Sequence, residues 1–209
     1  MCHRMNPLTM DEVRRICEEL REGGRASAPS QPTRTPDAYP GTQLPLLVPG
    51  KGGELEPALL TWGFSLPGRD GLVFNTRLET ALEQTRAGRG MWAGPMAEGR
   101  CLVPVHGFYE SWTQPNAPAR EGDAPGGRGR KGRRQVLFRL DGHPVFLMAC
   151  VRAEDRFSVV TTVPNSTVFP VHNRMPLVLG RGESQRWLNG DFAGLANRGS
   201  IKLTSELES

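Results

Sequence analysis

The chain has 209 residues, of which 37% are hydrophobic and 23% charged, enough for a substantial apolar core in one large or two small domains. Its formal charge is +4, no apolar run approaches the roughly 18 residues that cross a bilayer, and the N-terminus lacks a secretory pattern. A membrane-spanning helix is excluded, and a cytoplasmic protein, nucleoid-associated when bound to DNA, is expected.

The four cysteines (Cys2, Cys17, Cys101, Cys150) are far apart and never form a C-x-x-C pair. That spacing predicts free thiols and no zinc site, and adding His3 and His106 gives no recognisable metal-ligand set. Of the 26 basic residues only Lys51, Lys131 and Lys202 are lysines. Arginine's planar fork matches phosphate oxygens and stacks on bases, so the bias suits nucleic-acid binding, although a GC-rich genome produces the same bias.

Taken in chain order, Thr9 with Glu12 makes a capping-box pattern, followed by an apolar stripe at Val13, Ile16, Cys17 and Leu20 and a stop at Gly23-Gly24. This predicts a first helix with Cys17 in the core. Residues 25–42 read as an irregular loop. Short runs rich in Val, Leu and Phe at 43–48, 57–62, 101–109, 135–140, 144–151, 157–163 and 176–179 read as strands. A second helix is expected from Thr76 as cap, through Glu79, to about Arg86, and a third from Glu183 to Leu188. The fold class is α+β: mostly antiparallel strands curled into a barrel-like core with a few flanking helices. Residues 1–209 form one domain, taken as a monomer. Residues 114–134, with Pro115, Pro118, Pro125 and the basic run Arg128 to Arg134, read as a flexible insertion between two strands. Such an insertion is either a loose phosphate-gripping arm or a plain solvated loop.

Cys2 is the first unusual placement. Its side chain is small enough for Met1 to be removed, which leaves an amine and a thiol on adjacent carbons at the chain end. An α-amine titrates at about 7.7–8.0, so part of it is unprotonated near neutrality and can condense with an aldehyde to an imine. The thiol can then close a five-membered thiazolidine ring. Other candidates lie in Asn75-Thr76-Arg77-Leu78-Glu79, Gly107-Phe108-Tyr109-Glu110 and Val171-His172-Asn173-Arg174-Met175-Pro176. Singly, each has a plain explanation: Asn75 starts a turn, Glu110 ends an exposed strand, His172 is a satisfied loop histidine.

Together with Met1-Cys2-x-Arg4, Tyr39-Pro40-Gly41-Thr42, Leu60-Thr61-Trp62-Gly63 and Arg100-Cys101-Leu102-Val103-Pro104, these segments occur in the order of one family. From residue 1 to about Leu188 the chain resembles the SRAP (SOS-response-associated peptidase) proteins. The resemblance implies a single domain that binds single-stranded DNA and covalently captures abasic sites, with no cofactor. By that resemblance Cys2 is the nucleophile, Asn75 orients its amine, Glu110 is the general acid/base and His172 assists proton transfer to the opened sugar oxygen. These roles are chemically coherent, because expelling water from a carbinolamine needs a positioned acid and deprotonating an ammonium needs a positioned base. An imine at C1 also acidifies the C2 proton, so weak strand cleavage is expected.

DNA gripping is expected from Arg4, Arg77 and Arg174, near the catalytic positions, and from backbone amides of Pro40-Gly41-Thr42. Trp112 and Trp62 are candidate stacking platforms, although burial is the commoner fate for Trp62. His3 stands where relatives carry Gly, and the segment 65–70 lacks a tryptophan pair found in many of them. Two other readings remain open: an N-terminal-nucleophile cysteine peptidase, self-processing or acting in trans, and a non-covalent single-strand binder.

Overall fold

The computed structural model describes residues 2–21, 35–68, 70–113, 133–192 and 194–208. In chain order the elements are β1 (Arg4–Pro7), α1 (Met10–Arg21), β2 (Gln43–Pro49), β3 (Leu55–Trp62), β4 (Phe64–Ser65), β5 (Leu72–Val73), β6 (Asn75–Arg77) and α2 (Leu78–Ala87). They continue with α3 (Ala93–Glu98), β7 (Arg100–Thr113), β8 (Arg133–Leu140), β9 (Phe146–Ala153) and β10 (Arg156–Thr162). The last are β11 (Met175–Pro176), β12 (Val178–Leu179), α4 (Glu183–Leu188) and β13 (Leu203–Leu207).

Eleven strands form one sheet in the order β12-β9-β10-β3-β2-β7-β8-β13, with β1 on β7 and both β6 and β11 on β10. An additional β7–β9 pairing closes a ring through five strands, β7, β2, β3, β10 and β9. This is α+β, as expected, but the sheet is a large mixed one with a ring inside it. Strand β10 runs parallel to both β3 and β6, and its other pairings are antiparallel.

In β2, β7, β9 and β10 both faces are largely buried, which explains their unbroken apolar runs, whereas β3 leaves Glu56 and Leu59 exposed. Side chains alternate across a strand, so Leu46, Met148 and Val159 enter one core cluster with Trp62, Phe108, Phe138 and Phe157. Their neighbours Leu47, Ala149 and Val160 enter the other with Val13, Leu78, Met96 and Trp187 of the helices. A strand buried on both faces gains from Val and Leu at every position.

The first helix starts as its sequence predicts. Glu12 N–H donates to Thr9 Oγ1 at 3.2 Å, while the Glu12 carboxylate accepts from the Thr9 amide at 2.7 Å and its hydroxyl at 2.8 Å. Cys17 is buried in the helix-side cluster, whereas the Gly23-Gly24 stop lies outside the described residues. The second helix corrects the expectation. Thr76 belongs to β6 and its hydroxyl donates to Ser158 Oγ at 2.9 Å, so α2 starts after Arg77 with no side-chain cap. Helix α3 is not among the elements expected from the sequence; its Pro95 sits in the first turn, where a proline removes no helical hydrogen bond. Strands β7 and β8 pair out to Thr113↔Arg133, so Arg133 and Arg134, expected in the basic insertion, belong to β8; the rest of that expected insertion, residues 114–132, lies outside the described residues. No helix among the described residues is long and apolar enough to cross a membrane.

The segment after α4 is anchored by Arg198, only 2% exposed. Its guanidinium donates to Glu183 Oε2 at 2.5 Å, Val178 O at 3.1 Å and Gly194 O at 3.0 Å. Removing one partner of a buried pair strands the other, so Arg198→Met should cost about 3 kcal/mol in urea unfolding. Adding Glu183→Leu should recover part of that loss.

Candidate active site

Four distant segments meet at the start of the chain. Strand β1 runs antiparallel to β7 with Arg4 opposite Tyr109 and Met5 opposite Phe108. Cys2, two residues earlier, is thereby drawn beside Glu110. Cys2 is wholly buried, with its Sγ 3.6 Å from Arg4 O. Strand β6 lies parallel to β10 with Asn75 opposite Val159, and Asn75 Nδ2 donates to the Cys2 carbonyl at 2.8 Å. Asn75 Oδ1 is buried without a hydrogen-bond partner among the described residues. His172 Nδ1 lies 4.0 Å from Glu110 Oε2 and 3.0 Å from the Arg174 amide, which donates to it. Cys2, Asn75, Glu110 and His172, named from the sequence, are therefore one constellation.

Burial sets the electrostatics. Glu110 is fully buried, and desolvation pushes its carboxyl up to about 7. Near neutrality the group is divided between acid and carboxylate and can serve in either direction of a proton transfer. Burial, and then the charge of Glu110, push the Cys2 thiol well above its ordinary value. As held here the sulfur is a thiol rather than a thiolate, so it is a poor leading nucleophile. Among the described residues no group of three or more His, Cys, Asp and Glu side chains is arranged to hold a metal.

The loop carrying His172 is fixed by a residue that sequence reasoning missed. Asn165 is buried, its Nδ2 donates to Ile201 O at 2.8 Å, and its Oδ1 accepts from the amides of Thr167 and Val168 at 3.2 and 3.0 Å. The amides of Val171 and His172 then close on Val168 O, each at 2.9 Å. The signal was present in Pro164-Asn165-Ser166-Thr167, since asparagine after proline commonly ties a turn to its own backbone.

The residues expected to grip DNA are more varied. Arg77 is exposed. Arg174 is buried: its Nη1 and Nη2 donate to the two Glu79 carboxylate oxygens at 2.7 and 2.9 Å, and Nη2 also to Thr161 O at 2.8 Å. Arg4 stacks its guanidinium 3.9 Å from the Tyr109 ring centroid and donates to Asp37 and Glu208. Neither arginine is a free phosphate clamp in this structure. The turn at Pro40-Gly41-Thr42 also departs from expectation: the Gly41 amide donates to Trp62 O at 2.8 Å and the Thr42 amide to Tyr39 O at 3.0 Å. Those donors are committed to the fold, because the turn must brace the end of β3. Trp62 is wholly buried, with its indole N–H on Phe74 O at 2.9 Å and its ring stacked on Phe157, which removes it as a stacking platform. Trp112 is half-buried against the core, and His3 is half-buried beside Cys2. Of the segment 65–70, Ser65 belongs to β4 and pairs with Leu72 of β5.

Comparison with known proteins follows the same outline. The family model described as "SOS response associated peptidase (SRAP)" matches residues 1–204. Abasic site processing protein YedK of Escherichia coli is 27% identical over 165 residues, covering 74% of this chain and 64% of YedK. Abasic site processing protein YoaM of Bacillus subtilis is 24% identical over 141 residues, covering 62% of this chain and 55% of YoaM. This chain thus spans less than two thirds of the length of either relative. A crystal structure of a phage-related protein from Bordetella bronchiseptica superposes with a TM-score of 0.69 at 18% identity over 99% of this chain and 94% of the other. One of a Bacteroides thetaiotaomicron protein gives 0.65 at 17% identity over 100% and 92%. At such identities these two establish the fold alone. The family match across nearly the whole sequence identifies this chain as a member of the SOS response associated peptidase family.

Proposed function

We propose that this protein captures abasic sites in single-stranded DNA as a covalent adduct on Cys2, after loss of Met1 has freed the Cys2 amine. The reading rests on the burial of the chain start against Asn75, Glu110 and His172, and the two bacterial relatives named as abasic site processing proteins support it.

The geometry and the protonation states support one order of steps. An abasic sugar opens to an aldehyde at C1 as the C1 hydroxyl gives up its proton and the ring oxygen takes one, a transfer suited to His172. The Cys2 amine then attacks C1. Asn75 Oδ1, a buried acceptor, is of the right kind to hold an N–H of that amine. The neutral acid form of Glu110 protonates the carbinolamine hydroxyl, water leaves and an iminium remains. The Glu110 carboxylate accepts the proton from the thiol as sulfur adds to C1, which closes the thiazolidine and restores the acid. The high thiol pKa makes this order natural: sulfur attacks only once the electrophile is a cation. Before ring closure the iminium acidifies the C2 proton, which permits weak strand cleavage, and the same steps in reverse release the DNA.

DNA phosphates are met by Arg77, by Arg4 and Arg174 once their carboxylate partners yield, and by the hydroxyl of exposed Thr42; Trp112 supplies a partly open ring two residues beyond Glu110 on β7. A second reading, self-cleavage of the Met1–Cys2 bond by the same buried groups, is compatible with the first because it produces the required amine. The deciding test is denaturing electrophoresis after mixing the protein with single-stranded oligonucleotides. A slow-migrating adduct should form with an abasic oligonucleotide and be absent with an undamaged one. Cleavage of unrelated peptides without any adduct would reverse the assignment in favour of a trans-acting peptidase.

A further inference from the structure

Arg4 lies two residues from Cys2, yet its guanidinium is already engaged. Nε donates to Asp37 Oδ2 at 2.7 Å, Nη1 to Glu208 Oε2 at 2.7 Å and Nη2 to Glu208 Oε1 at 2.6 Å. The pairing with Glu208 is bidentate, the geometry arginine uses for a phosphate, with two parallel N–H donors facing two oxygens. Tyr109 forms the floor beneath the guanidinium, and the Arg4 side chain is only 16% exposed. This is a built anion seat shared by two carboxylates: Asp37, whose Oδ2 also lies 2.5 Å from Nη2, and Glu208, which comes from the far end of the sequence.

The tail is delivered there by strand pairing. Strand β13 lies antiparallel on β8, with Glu206 opposite Leu137 and Leu207 opposite Val136. The Glu208 amide adds one more rung by donating to Gln135 O at 2.8 Å. Across the sheet, Arg4 faces Tyr109, Tyr109 faces Leu137 and Leu137 faces Glu206, so Glu206 shares the row that carries Arg4, and Glu208, two residues on and opposite Gln135, lies on the same face of the sheet. Ile201 and Leu203 anchor the start of the tail in the core, whereas Glu208 at its end is half-open to solvent. The Glu208 rung, half-open to solvent, has less to lose by opening than buried Ile201 and Leu203. The hydrogen bond to Arg4 also lowers the Glu208 carboxyl below its ordinary range, so it is anionic at neutral pH.

We infer that Glu208 is a phosphate mimic that closes the Arg4 seat at rest and that a backbone phosphate of single-stranded DNA displaces it on binding. The inference rests on the proposed DNA-capture function and names a restraint on that same site. Arg4 cannot present both Nη donors to a phosphate while Glu208 holds them, so every binding event includes the loss of this ion pair. The tail thereby disfavours weak, transient contacts with undamaged strands.

The experiment is fluorescence anisotropy with an undamaged single-stranded oligonucleotide at low salt, alongside the adduct gel with an abasic one. Glu208→Gln should tighten binding roughly three- to tenfold, the range expected for releasing one well-aligned, partly exposed pair. Glu206→Gln is the charge-matched control: its carboxylate pairs with the exposed Arg139 at 2.9 Å and leaves the Arg4 seat intact, so it should change binding by less than about twofold. In an Arg4→Ala background Glu208→Gln should have no effect. Glu208→Asp, which keeps the charge but withdraws the oxygens, should act in the same direction as the glutamine by a smaller factor. Unchanged or weaker binding by Glu208→Gln, or equal gains from the two glutamine variants, overturns the inference. Tighter binding by Glu208→Gln without any adduct from the wild type would uphold the seat and reject the capture chemistry. A Cys2-dependent adduct with no Glu208 effect would do the opposite.

Discussion

Cys2→Ala should eliminate the heat-stable DNA adduct, reducing it by at least about 10²-fold, while binding to undamaged single strands stays within about twofold. The asymmetry follows from which atoms are lost. An alanine at position 2 still permits removal of Met1, so the amine, the carbonyl held by Asn75 and the Glu110 carboxyl all remain. An iminium can therefore still form, but with no sulfur to close the ring it either hydrolyses back or loses the C2 proton. The variant should show more strand cleavage than the wild type and should be trapped by borohydride, with intact mass verifying that Met1 is gone. The wild-type residue sits wholly buried in the core, and alanine leaves only a one-atom void, so melting should change little. A non-covalent strand binder would be indifferent to the substitution, and a heat-stable adduct of undiminished yield would remove Cys2 from the mechanism.

The second large effect is expected at Glu110. Glu110→Gln should slow adduct formation by roughly 10²–10³-fold, the usual contribution of a positioned acid/base. The pH profile distinguishes this from a structural defect. Burial raises the wild-type carboxyl to about 7, so its acid form is depleted as pH rises above neutrality, while below neutrality the Cys2 amine is increasingly protonated. The wild-type rate should peak near neutral pH, and the glutamine variant should lose the fall on the alkaline side. Stability provides an independent reading. The folded carboxyl binds its proton more tightly than the unfolded one, so its favourable contribution is complete below about pH 4.5 and is lost as pH rises through about 7. The full span is about 3 kcal/mol, and Glu110→Gln should flatten that part of the stability curve and melt higher than the wild type at pH 8. A variant with normal rate and an unaltered pH profile would leave Glu110 without a chemical role.

What the sequence revealed and what it hid divide along a physical line. Features decided by near neighbours were legible. The Thr9–Glu12 box was, because its donors and acceptors lie within one turn; helix Glu183–Leu188 and the apolar strands were too, because burial on both sheet faces leaves a continuous hydrophobic signature. Strand β1 was not, since Arg4-Met5-Asn6-Pro7 has no such signature and exists by pairing with β7. Thr76 looked like a helix cap because its preferred partner, Ser158, is 82 positions away. Non-locality also hid the state of the arginines. Arg174 and Glu79 are separated by 95 positions and Arg4 and Glu208 by 204, so motif spacing could mark these cations but not what neutralises them. The gathering of Cys2, Asn75, Glu110 and His172 was legible only as a resemblance. No periodicity places residues 2, 75, 110 and 172 together; the β1–β7 and β6–β10 pairings position the first three, and the loop tied by Asn165 brings in His172.

The central claim is that the chain-terminal aminothiol of Cys2 carries the DNA, and peptide mapping of the adduct by mass spectrometry tests it most directly. The account predicts that, after digestion of both protein and DNA, the sugar remnant resides on an N-terminal peptide beginning at Cys2, with Met1 absent and one water lost relative to the sum of the two reactants. A remnant on a lysine or on an internal cysteine, or on a peptide that still begins with Met1, would contradict it.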